Sequence, residues 1–182
     1  MKYFEISDCW YFASDREVKH FQNWGDSFEI EFVIKVYKLP NSKWMNIFKF
    51  STKGEIEDHC NCIPELYIFK DQFFRVCSMI DGQSSCQDFK FELGKEYKIS
   101  IKQFKYSRKY WFQILINNVS DFKIQNTQPK RYQDVTLYAN AKEDISDETF
   151  DPEMGSFCYV KIHPGKVILQ APYQCFFPIH IT

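Results

Sequence analysis

Glu29 and Glu31 are the first residues along the chain whose spacing could do chemistry. Carboxyls two positions apart share one face of a strand, and glycoside hydrolysis needs two carboxyls converging on one sugar. A third acidic residue of that pattern is missing, with Ile34 standing where it would be sought. Two glutamates on the outer face of a strand are otherwise ordinary solvent-facing residues. His59, Cys60 and Cys62 bring three metal-ligand side chains together, but a structural zinc site needs a second pair at matching distance, and Cys158 with His163 does not form one. Carboxylates concentrate at Glu55, Glu57 and Asp58, and again at Glu143, Asp144, Asp147, Glu148, Asp151 and Glu153. Oxygen-rich loops can hold calcium, although no EF-hand spacing is present and acidic loops are usually only solvated. The sequence has no Gly-x-Ser-x-Gly elbow, no phosphate-cradling glycine loop and no cysteine with a catalytic flank. His20, His59, His163 and His180 are scattered. These residues point away from an enzyme and from any required cofactor, with calcium left open.

Binding chemistry is better represented. Lys102, Lys105, Arg108 and Lys109 interleave with Phe104, Tyr106, Tyr110 and Trp111. Charge with stacking suits a sulfated glycan, a protein partner or a nucleic acid; the competing reading is a hairpin whose loop over Phe104–Lys109 is exposed and polar. A formal net charge of -1 removes the whole-chain positive field that non-specific nucleic-acid binding relies on. Lys105, Arg108, Lys109 and Trp111 are thus candidate contacts for a glycan or protein partner. Trp24, Trp44 and Trp111 could stack on the apolar face of a sugar ring, although in a chain this aromatic most tryptophans serve packing. Asn118-Val119-Ser120 is a glycosylation acceptor triplet set in a hairpin turn.

The elements that must position these groups read as strands. Phe28, Ile30, Phe32, Ile34 and Val36 alternate with Glu29, Glu31 and Lys35; Tyr97–Ile101 and Tyr110–Ile116 repeat the pattern. Shorter runs at 45–50, 65–69, 73–77, 135–138, 159–162 and 166–169 are rich in aromatic and β-branched residues. Turn residues separate them, among them Asp81-Gly82, Leu93-Gly94, Asn117-Asn118 and His163-Pro164-Gly165. The best helical candidate, 141–150, is acidic enough to be an irregular loop. Roughly 10–14 short strands without intervening helices predict an all-β antiparallel sandwich, one domain over 1–182. No run of 18 apolar residues exists to cross a membrane as a helix.

Seven cysteines favour an oxidising compartment, and an odd count leaves at least one without an intrachain partner. Residues 1–15 lack the basic start and apolar run of a secretory signal. Two readings remain: a mature extracellular fragment preceded by an added Met1, or an intracellular chain with reduced thiols. If Asp81-Gly82 is the centre of a two-residue hairpin, Ile80 pairs with Gln83 and Cys77 sits opposite Cys86, at a non-hydrogen-bonded position with Cα atoms roughly 4.5 Å apart. That geometry suits a disulfide and favours the extracellular reading. Cys9 and Cys175 lie near the termini, which often run as neighbouring strands in sandwiches, and form a second, weaker candidate pair.

Residues 24–170 resemble the concanavalin A-like, laminin-G-like sandwich superfamily. The likeness is carried by Ser27–Ile34, Trp44–Ser51, Pro64–Ile68, Leu93–Ile101, Tyr110–Asn118, Val135–Ala139 and Gly165–Val167. The Leu-Gly-x-x-Tyr-x-Ile stretch at Leu93 looks like the turn opening a central strand there, and Ile116-Asn-Asn like the hairpin after the next strand. The resemblance implies a jelly roll used outside cells to bind glycans, proteins or lipophilic hormones. By rough position, Asp58 and Asp144 correspond to a calcium rim. The histidine-asparagine-arginine and tryptophan-glutamate pattern of galectins is absent. The expectation is a non-enzymatic extracellular recognition or adhesion domain for a protein or glycan, with a carbohydrate-binding lectin as the alternative and a glycoside hydrolase as a more distant one.

Overall fold

The computed structural model describes residues 3–11, 16–52, 62–139 and 152–165. Within them the chain forms β1 (Phe4–Ile6), β2 (Trp10–Tyr11), β3 (Arg16–Trp24), β4 (Phe28–Val36), β5 (Trp44–Thr52), β6 (Glu65–Phe69), β7 (Phe73–Ile80), β8 (Gln83–Lys90), β9 (Glu96–Tyr106), β10 (Lys109–Ile116), β11 (Val119–Asn126), β12 (Tyr132–Ala139) and β13 (Gly155–His163), with one 3-10 turn at Pro152–Met154. The expected strand at 166–169 and the candidate helix at 141–150 fall outside the described residues.

Every pairing is antiparallel. Sheet A has the order β1-β13-β4-β9-β10-β11, with β2 also on β13; sheet B has the order β3-β12-β5-β6-β7-β8. The alternation in β4 explains its place at the centre of sheet A. Phe28, Ile30, Phe32, Ile34 and Val36 are buried in the core, and the residues between them lie half-buried on the outer face. The sheets interlock through aromatic contacts such as Phe32 of β4 edge-on to Phe48 of β5 at 5.2 Å, and Phe74 of β7 against Tyr97 of β9 at 5.8 Å.

β5 departs from this pattern. Its core face carries Met45, Phe48 and Phe50, yet Asn46, Lys49 and Ser51 on the opposite face are buried too. Lys49 Nζ lies 3.3 Å from Glu65 Oε1, both side chains being 2% exposed, and Tyr67 donates to Glu65 Oε2. An ion pair has therefore been taken out of water on the outer face of sheet B.

Among the described residues two disulfides each crosslink strands within one sheet. Cys77 and Cys86 are directly opposed across the β7–β8 hairpin, with Cα atoms 4.1 Å apart. The turn between them, Asp81-Gly82, has positive φ at both residues, as a type I′ hairpin requires. The expected Cys9–Cys175 pairing is corrected: Cys9 is bonded to Cys158. The pairing of Trp10 with Phe157 and Tyr11 with Ser156 puts Cys9 opposite Cys158, so strand register selects the partner and proximity of the termini does not.

The two crosslinks should differ in strength. Cys9 and Cys158 are 149 residues apart and Cys77 and Cys86 only 9. Chain entropy gives the first up to about 5 kcal/mol and the second about 2–3 kcal/mol at most. Paired alanine replacement should therefore lower the melting temperature more at Cys9/Cys158 than at Cys77/Cys86. Calorimetry showing the opposite order would refute that account.

Candidate functional site

Where β3 ends and β4 begins, the chain turns through Gly25-Asp26-Ser27. This turn, the Ser107-Arg108 turn joining β9 to β10, and the start of β12 surround a cleft of about 910 Å³ at one end of the sandwich, lined also by Trp24, Lys105, Tyr110, Arg131 and Tyr132. Gly25 donates to the Pro164 carbonyl at 2.6 Å, and a Cβ there would stand 3.2 Å from that oxygen and 3.3 Å from the Gly165 Cα. A side chain there would be tight against this backbone, and glycine fits the approach without displacement.

The turn is tied to both sheets. Gln103, buried in β9, donates to the Asp26 carbonyl at 2.7 Å and accepts from Asn126 of β11 at 2.6 Å. Asn126 Oδ1 in turn accepts from the Asp81 N–H at 3.0 Å. Asp81 also takes both the backbone and hydroxyl donors of Thr127, and these hydrogen bonds hold its carboxyl below the usual range. The wall of the cleft is thus continuous with the β7–β8 hairpin across the sandwich.

Electrostatically the cleft is positive. It holds three cations, Lys105, Arg108 and Arg131, against one carboxylate, Asp26. Arg131 donates through Nε to Asp26 Oδ2 at 2.9 Å, with its Nη2 2.8 Å from the same oxygen. The Tyr110 hydroxyl is pushed up by burial and by its hydrogen bond to Asp26. Asp26 is therefore engaged twice, whereas no described carboxylate lies within ion-pair distance of Lys105 or Arg108. Lys105 Nζ stands 5.3 Å from the centre of the Tyr110 ring. Arg108 itself has φ 65°, a left-handed conformation unusual for arginine. The other two type I′ turns use Asp81-Gly82 and Asn117-Asn118, residue types that tolerate it.

Strand alternation divides the basic-aromatic cluster. Lys105 and Arg108 enter the cleft, while Lys109 and Trp111 lie on the outer face of sheet A. There Trp111 pairs with Phe104, and Lys123 Nζ lies 5.0 Å from the Trp111 ring centre. Trp24 packs into the core against Phe21, Phe28 and Phe50, so it is no exposed stacking platform, although its indole N–H has no acceptor among the described residues. Trp44 meets Tyr67 edge-on at 5.4 Å beside a smaller hollow of about 250 Å³ that also holds Cys62 and the Cys77–Cys86 bond. Burial, reinforced by the nearby Glu65 charge, pushes the Cys62 thiol up to about 11.

Glu29 and Glu31 stand outside the cleft, on the outer face of β4. Glu31 is 3.7 Å from Lys98, and Glu29 pairs in register with Lys102 and His163. Burial raises the Glu29 carboxyl, Lys102 opposes that, and Glu31 adds to it. A carboxyl raised on folding stabilises the protein at low pH, and that contribution is lost as pH climbs through the raised value. Glu29→Gln should therefore raise the melting temperature at pH 7 and leave it nearly unchanged at pH 3; equal shifts at both would contradict the assignment.

Asp58, Asp144 and Cys175 fall outside the described residues. Among the described residues no group of three His, Cys, Asp or Glu side chains could hold a metal ion. No described helix is long and apolar enough to cross a membrane. The cleft residues Asp26 and Arg131 carry no signal in the sequence, because 105 positions separate them and neither belongs to a motif.

No family model matches the chain, and no curated protein does. Solved structures do. A native heptameric SAP-like pentraxin from Limulus polyphemus superposes with a TM-score of 0.58 at 12% identity, covering 90% of this chain and 77% of the pentraxin. A botulinum neurotoxin type C structure, whose cell entry depends on interaction with two ganglioside molecules, gives 0.51 at 12% identity over 92% of this chain and 44% of the toxin chain. Trypanosoma rangeli sialidase in complex with sialic acid gives 0.54 at 11% identity over 78% of this chain. The chain spans only 21% of the sialidase's length. At such identities the likeness is one of fold alone, and sheet order and superposition together give the chain the fold of a concanavalin A-like jelly-roll sandwich.

Proposed function

We propose that the domain is a non-enzymatic recognition module that binds acidic glycans in the cleft between the Gly25–Ser27 and Ser107-Arg108 turns. The observation that carries this reading is the pair of cations, Lys105 and Arg108, held at the cleft without a carboxylate partner among the described residues. A carboxylate or sulfate on a sugar supplies the missing charge, and arginine can receive it bidentately. The Tyr110 and Tyr132 rings offer apolar contacts for the remainder of a sugar. The like-folded toxin and sialidase structures, with their gangliosides and sialic acid, support the ligand class. The two disulfides support an extracellular setting. Recognition rather than catalysis fits a cleft whose one carboxylate is already tied to Arg131 and Tyr110.

The test is a glycan array read with sialylated, sulfated and neutral sugars at low and physiological salt, with and without calcium. Acidic sugars should bind at least ten-fold more tightly than their neutral counterparts, and binding should weaken as salt rises. Equal affinity for neutral sugars, or silence across all acidic ones, would exclude the reading.

A further inference from the structure

The tip of the β10–β11 hairpin is the second exposed turn with chemistry of its own. Ile116 pairs with Val119, so Asn117 and Asn118 form the whole turn, with φ 52° and 66°. The two asparagines are used differently. The Asn117 side-chain oxygen accepts from the Lys98 N–H at 2.9 Å, and its own N–H donates to the Lys98 carbonyl at 2.7 Å, anchoring the turn to β9. Asn118 is exposed, and its carboxamide makes no hydrogen bond to any described residue. Ser120, two residues on, is exposed and accepts from Gln113 at 2.8 Å. Between them Val119 is 68% exposed, the most exposed large apolar side chain among the described residues. Val119 also opens β11, the edge strand of sheet A, beyond which no described strand pairs with its backbone groups.

We infer that Asn118 carries an N-linked glycan, which covers Val119 and the open start of the β11 edge. It is the only Asn-x-Ser/Thr triplet in the sequence. In the transfer, Asn118 Nδ2 forms a bond to C1 of a saccharide carried on a polyprenyl diphosphate. The C1–O bond to the diphosphate breaks, the lipid diphosphate leaves with the electron pair, and the amide loses a proton. Folding then leaves the sugar at the surface, because the turn needs the Asn118 backbone and none of its side chain. The eight residues of β10 separate this tip from the Ser107-Arg108 turn. At about 3.4 Å per residue the glycan sits roughly 27 Å from the cleft, so the inference stands whichever ligand the cleft takes.

The test uses the full chain secreted from glycosylating animal cells. Its intact mass should fall by one N-glycan on treatment with peptide N-glycosidase, with Asn118 converted to Asp in the peptide map. Asn118→Gln and Ser120→Ala should each abolish the shift, and Ser120→Thr should retain it, which separates loss of the acceptor from a folding failure. Stripping the glycan should leave acidic-sugar affinity unchanged while raising the tendency to self-associate. Secreted, folded wild-type protein with an unmodified Asn118 would overturn the inference, as would failure of the chain to be secreted.

Discussion

Replacing Lys105 by Ser and Arg108 by Gly together is expected to weaken acidic-glycan binding by 100-fold or more while leaving the fold as stable as before. A hydrogen bond to a charged group contributes about 1.5–3 kcal/mol, and each 1.4 kcal/mol is about ten-fold in affinity. Losing two such bonds removes most of what a small sugar can gain. Stability should stay level because two backbone effects oppose each other. Arg108 sits in the left-handed region at φ 65°, a conformation costing a residue with Cβ roughly 1–2 kcal/mol. Glycine relieves that, and gives back about 0.5–1 kcal/mol through the greater freedom of its unfolded chain. The variant should melt at or slightly above the parent temperature and fail to bind in titration calorimetry. Retained affinity would place the ligand elsewhere; a large fall in melting temperature would show that Arg108 is structural.

The second large effect concerns the ion pair beneath the outer face of sheet B. Lys49→Met should destabilise by about 3–5 kcal/mol, because it strands the Glu65 carboxylate where water cannot reach it. For a chain of this size that is a fall of roughly 10 °C. Adding Glu65→Leu to the same chain should recover most of the loss, since two apolar side chains of similar volume need no solvation. The measurement is a double-mutant cycle by thermal melting. Additive losses, with the double variant the least stable of the four, would show that the two charges do not compensate each other.

Alternation alone makes most of the sandwich legible in the sequence. β4, β9 and β10 follow the two-residue period through Phe28–Val36, Tyr97–Ile101 and Tyr110–Ile116, and each lies at or near the centre of sheet A, where one face must be buried. β3 is illegible because Arg16–Trp24 is an edge strand whose pairing with β12 shifts register, so apolar residues do not alternate. β11 hides its phase in the same way: Ile114 pairs with Phe122 but Leu115 with Ser120, and the extra residue returns Phe122 toward the core. Cys86 is legible as the partner of Cys77 through the Asp81-Gly82 turn. Cys158 is not legible as the partner of Cys9, because β2 and β13 are joined by no turn whose length sets their register. Lys105 and Arg108 stand out as cations from their residue types. That Lys109 and Trp111 face away from them follows from strand phase, and that Asp26 and Arg131 complete the cleft follows only from tertiary structure.

The Cys9–Cys158 bond also decides how the domain behaves under tension. A pull on the chain beyond Cys9 and Cys158 loads first β1 and the end of β13, which lie outside the crosslink, and then a covalent link that bypasses every strand between the two cysteines. The 149-residue span inside it is hidden length, on the order of 500 Å if fully extended. An oxidised domain should therefore transmit load as a short inextensible unit. Reduction turns the same domain into an extensible spring, because the strands from β2 to the start of β13 are then no longer held inside a closed loop. In single-molecule stretching, the long unfolding step should be seen only after reductant is added.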